Sequence, residues 1–118
     1  MVCGAVASAQ AQNGAPAAPV DRASAYYHYT LAHMYADLAG QPGVRGNDYV
    51  NKAIENYKEA IKADPETPLL SEELSELYVA AGRLREAEND ANEALKQNPN
   101  DLNALRLLAR MYTRQIVD

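Results

Sequence analysis

The segment TPLLSEELSELYVAAGRLREAENDANEALKQNPND, residues 67–101, reads as two amphipathic helices with a stop after each. Leu70, Leu74, Leu77, Tyr78 and Ala81 fall at helical spacing in its first half. Thr67-Pro68 is a start signal, because threonine can cap free N–H groups and proline fits the first turn. Gly82 permits the left-handed backbone that ends a helix. The second helix turns Leu84, Ala87, Ala91, Ala94 and Leu95 inward until Pro99 stops it, and Asn100-Asp101 caps the next.

The same pattern recurs on both sides. Ala53/Ala87, Ala60/Ala94, Ile61/Leu95, Lys62/Lys96 and Pro65/Pro99 are 34 apart, as are Leu74/Leu108, Ser75/Ala109, Leu77/Met111 and Tyr78/Tyr112. One offset shared by so many pairs signals a stacked repeat array. Leu31, Ala32, Met34 and Tyr35 match Leu74, Ser75, Leu77 and Tyr78 at an offset of 43. The excess over one period falls around Gln41–Asp48, so the first unit carries an enlarged turn. Five helices are expected, at about 22–39, 48–63, 68–81, 84–97 and 101–117.

These residues resemble the tetratricopeptide repeat family, whose period is 34 residues. In the middle unit the match is Leu74, Ser75, Tyr78, Gly82, Leu84, Ala87, Ala94 and Pro99. In the first it is Leu31, Ala32, Tyr35, Ala53, Tyr57, Ala60 and Pro65, and in the third Leu108, Ala109 and Tyr112. The tryptophan usual near the start of each unit is replaced by His28, Ser71 and Leu105, and the large aromatic of the second helix shrinks to Ala91 in the middle unit. The resemblance implies an all-α fold: an α-solenoid of antiparallel helix pairs, about two and a half repeats in a right-handed superhelical stack. Repeat one spans 22–67 with its enlarged loop at 40–48. Repeat two spans 68–101, and a half repeat or capping helix spans 102–118. Ala32, Ala53, Ala60, Ser75, Ala87, Ala94 and Ala109 are expected where helices approach closely, and Tyr35, Tyr78 and Tyr112 as wedges between units.

Composition agrees. Alanine supplies 22 of the 118 residues, there is no Phe or Trp, and all eight aromatics are Tyr. Few Val, Ile and Thr suit a β-sandwich badly. A net charge of −5 argues against general nucleic-acid or anionic-membrane binding. A single cysteine, Cys3, excludes an internal disulfide framework and a cysteine-rich zinc site. No apolar run approaches the roughly 20 residues of a membrane span. Residues 1–20 carry no charge and include the small-x-small pattern Ala7-Ser8-Ala9. Residues 1–21 thus read either as a disordered leader on a cytoplasmic protein or as the remnant of an export signal on a periplasmic or secreted one.

Catalytic constellations do not emerge, and neither a cofactor nor a metal is expected. His28 and His33 are five apart and point to different helix faces, unlike an i, i+4 metal pair. Glu86, Glu88, Asp90 and Glu93 read as a solvated face. The glycine-containing loop 40–46 leads into a helix, but Asp48 at the helix start would repel a phosphate.

In the resembled family the first helix of each unit lines a concave groove that binds extended peptides or partner helices. The register places Tyr26, Tyr29, His33 and Asp37 there from the first unit, and Leu69, Glu72, Glu76, Val79 and Ala80 from the second. The third contributes Asn103, Arg106, Arg110 and Arg114, the arginines sharing one face at four-residue steps. Members that grip a terminal carboxylate carry basic and amide residues where this chain has Tyr29, His33, Glu72 and Glu76, so that specificity does not carry over. Glu72/Arg106 and Glu76/Arg110 also share register and can pair across the stack as exposed ion pairs. The reading is a non-catalytic protein-interaction module with a peptide or protein partner, acidic if the arginines grip it. Its alternatives are a structural segment of a longer scaffold and an accessory domain of an enzyme. The apolar residues of the last helix add an expectation of truncation or of self-association through it.

Overall fold

Asp21 opens the first helix, its Oδ1 accepting the Ser24 N–H at 3.0 Å. The computed structural model describes residues 19–117, so the expectation of a leader or export remnant falls largely on residues outside the description. Five helices follow in order: α1 (Arg22–Ala39), α2 (Gly46–Ala63), α3 (Pro68–Ala80), α4 (Leu84–Gln97) and α5 (Leu102–Val117). No strand occurs among the described residues. The substantial packing runs between helices consecutive in the chain. The architecture is an all-α helical repeat solenoid.

Two glycines matter, one for its backbone conformation and one for a close approach. Gly82 takes φ +75° between α3 and α4, as its place after an amphipathic run predicts. At Gly46 a Cβ would come within 3.1 Å of the Ala39 carbonyl oxygen. This close approach lets α2 begin at Gly46, two residues before its expected start. Asp48 therefore sits inside the first turn, where a negative charge complements the helix dipole.

Thr67 does not cap α3 through its side chain. Its hydroxyl instead donates to Asp64 Oδ2 at 2.7 Å, and Asp64 Oδ1 accepts the Glu66 N–H at 3.2 Å. Buried Asp64 has captured the hydroxyl by organising the turn itself. One period later Asn98 repeats the device, accepting the Asn100 N–H at 3.2 Å. Asp101 does cap, accepting the Asn103 and Ala104 N–H groups at 3.0 Å each.

The core runs through all five helices: Ala32, Ile54, Tyr57, Leu74, Tyr78, Ala87 and Ala91, continuing into Ala104, Leu107, Leu108 and Met111. Ala32, Ala53, Ala60 and Ala87 are wholly inaccessible, as expected where helices meet closely. Ser75 and Ala94 are half-buried, and Ala109 is exposed. The tyrosines divide in the same way. Tyr78 is 2% exposed, Tyr35 is half-buried against Tyr49 with ring centroids 6.1 Å apart, and Tyr112 is 44% exposed. The expectation for Ala109 and Tyr112 is thus corrected: among the described residues no helix covers that side of α5.

Candidate functional site

Glu73, on α3, gathers side chains from the two preceding helices. It accepts hydrogen bonds from the Tyr29 hydroxyl of α1 at 3.2 Å and the Tyr57 hydroxyl of α2 at 3.0 Å. His33 Nε2, also on α1, lies 2.7 Å from its carboxylate. The rings close around it edge to face, Tyr29 4.6 Å from His33 and His33 6.1 Å from Tyr57. Tyr29 and His33 were expected at a groove, and the carboxylate that joins them was not. The register does hold the signal, because Glu73 corresponds to Leu107 of α5, which is buried.

Further along, α3 and α5 bound an open depression of about 820 Å³. Glu76, Val79, Leu107, Arg110, Met111 and Arg114 are among its lining residues. Arg110 and Glu76 form an ion pair across it, both well exposed. Arg106 and Glu72 do not form the second expected pair, and among the described residues Arg106 and Arg114 have no carboxylate partner. Ala80, the register partner of Arg114, lines the depression and offers no charge.

The candidate residues therefore fall into two patches. Tyr29 and His33 belong to the cluster around Glu73, and Glu76, Arg110 and Arg114 to the basic depression. Tyr26 projects into solvent at 71% exposure, and Asp37, Leu69, Glu72 and Arg106 are exposed outside both. Asn103 is half-buried, its N–H engaged by Asp101. His28 turns away from His33, with Nδ1 2.9 Å from Asn56 Oδ1. Of the expected solvated face, Glu88 is half-buried and accepts the Tyr112 hydroxyl at 2.6 Å. Among the described residues no group of three or more His, Cys, Asp or Glu side chains is placed to hold a metal, and no helix is long and apolar enough to cross a membrane.

A family model described as tetratricopeptide repeat matches residues 50–111, just over half of the chain. The chain belongs to the tetratricopeptide repeat family. Neither a curated protein nor a solved structure matches it. Tetratricopeptide repeats generally mediate protein–protein interaction and are typically non-catalytic.

In this tetratricopeptide array the phenols packed against the core carry a pH signature. Burial, then the neighbouring Glu73 carboxylate, raises the Tyr57 and Tyr29 hydroxyls above the ordinary 10.0. Burial, then Asp90, raises Tyr78. The fold thus favours the neutral phenol: its contribution is complete below pH 10 and is lost as pH climbs through the raised values. An absorbance titration should show some of the eight tyrosines ionising only as helical circular dichroism collapses. Uniform ionisation near pH 10 with helicity intact would contradict this.

Proposed function

We propose that the chain is a non-catalytic binding module that takes an acidic, extended peptide along its first-helix face, held at the depression between α3 and α5. The observation that carries this reading is Arg114, a guanidinium lining that depression with no carboxylate partner among the described residues. Arg110 is already answered by Glu76, whereas Arg114 is available to an incoming carboxylate in bidentate fashion. Apolar Val79, Leu107 and Met111 beside it suit a peptide that alternates carboxylates with apolar side chains. A second contact, of the chain with itself through α5, belongs to the same reading.

A fluorescently labelled peptide of alternating glutamate and leucine is a suitable probe. Arg114→Ala should weaken its binding about tenfold, the equivalent of roughly 1.4 kcal/mol, while leaving the melting curve almost unchanged. Binding to the parent should also decline with added salt. Equal affinity of Arg114→Ala and the parent would reject the groove reading and leave the arginines as surface charges.

A further inference from the structure

One carboxylate already occupies the depression between α3 and α5. Glu76, on α3, pairs with Arg110 of α5, and both residues line the depression. Both side chains are more than half exposed, so solvent screens the pair and little holds it closed. Four residues on, the pattern breaks. The position on α3 that matches Arg114 is Ala80, which also lines the depression and carries no charge. Among the described residues no carboxylate pairs with Arg114. Two guanidiniums on successive turns of α5 therefore line one depression, the first answered from within the chain and the second not.

Arg110 and Arg114 stand about 6 Å apart along the helix axis, the rise of four residues. In an extended peptide every second residue advances about 6.6 Å and points to the same side. Side chains two apart in such a peptide thus keep step with the two arginines. The Glu76 carboxylate sits where one of them would have to bind. An incoming carboxylate must displace it from Arg110 and then lie beside it, where like charges repel.

We infer that Glu76 is an internal competitor for acidic ligands: it occupies Arg110 in the unbound chain and limits an acidic peptide to the single site at Arg114. This restraint presupposes the peptide-binding reading of the depression and adds a rule of selection to it. A peptide with one carboxylate and a neutral side chain two residues away loses nothing to Glu76. A second carboxylate at that place meets repulsion instead of a partner. Neutralising Glu76 opens the second site.

The labelled glutamate–leucine peptide is the probe. Glu76→Gln should bind it about fivefold more tightly than the parent, because Arg110 is released and a repelling charge is removed. Arg110→Ala should cost the parent less than about twofold and the Glu76→Gln chain about fivefold, since only in the latter is the guanidinium free. Glu72→Gln removes an equal charge from the same helix, exposed and outside the depression. It should gain no more than about twofold, which separates competition at Arg110 from a general fall in negative charge. A gain in Glu76→Gln no larger than in Glu72→Gln, or an Arg110→Ala penalty equal in both backgrounds, would overturn the inference and leave the Arg114 site standing. The Arg114→Ala comparison decides that site separately. A peptide that binds neither the parent nor Glu76→Gln would overturn both.

Discussion

Replacing Tyr78 by alanine is expected to cost about 3–5 kcal/mol, the range for deleting a large buried aromatic. Tyr78 is 2% exposed and belongs to the cluster that joins all five helices, so the cavity opens where both repeats share their core. Against the roughly 5–15 kcal/mol that holds an ordinary domain together, that loss leaves a short array largely unfolded at room temperature. Tyr112, one period later, is the internal control. Its ring is 44% exposed and its hydroxyl reaches Glu88 on the surface, so Tyr112→Ala should cost no more than about 1 kcal/mol. Urea denaturation followed by circular dichroism, at dilution that keeps the chain monomeric, measures both. Equal losses at the two positions would mean that register, and not burial, sets the contribution.

Ala32→Leu should destabilise by about 1–3 kcal/mol, because Ala32 is wholly inaccessible and added methyl groups have nowhere to go. For a domain of this size that lowers the melting midpoint by about 4–8 °C per kcal/mol. Ala109→Leu inserts the same side chain at the equivalent position of the third unit and should change the midpoint by very little, since Ala109 is exposed. A thermal melt in which Ala32→Leu is as stable as the parent would show that the first helix pair relaxes freely around the insertion.

These matched positions show what a sequence can and cannot convey. The 34-residue offset, with Gly82, Pro65 and Pro99, marks every helix to within two residues, because spacing and stops are local properties. Burial is not local. Ala32, Ser75 and Ala109 share a register yet range from inaccessible to exposed, since accessibility depends on what packs opposite. The site follows the same logic. The register brings Glu76, Arg110 and Arg114 to one depression, and a shared face is enough for that. Glu73 escapes notice between Glu72 and Glu76 on the same helix. Its role arises only when α1 and α2 deliver Tyr29, His33 and Tyr57 to it. Thr67 is the converse case, a credible cap diverted by the buried Asp64 three residues earlier.

Packing that runs chiefly between helices adjacent in the chain also sets how the molecule answers mechanical force. Tension applied at its two ends does not have to shear a strand from the middle of a sheet or break many long-range contacts at once. The load falls first on a terminal helix, which can peel from its single neighbour while the rest stays stacked. Resistance is then small and graded, each step lengthening the chain by one helix and relieving the load on the next.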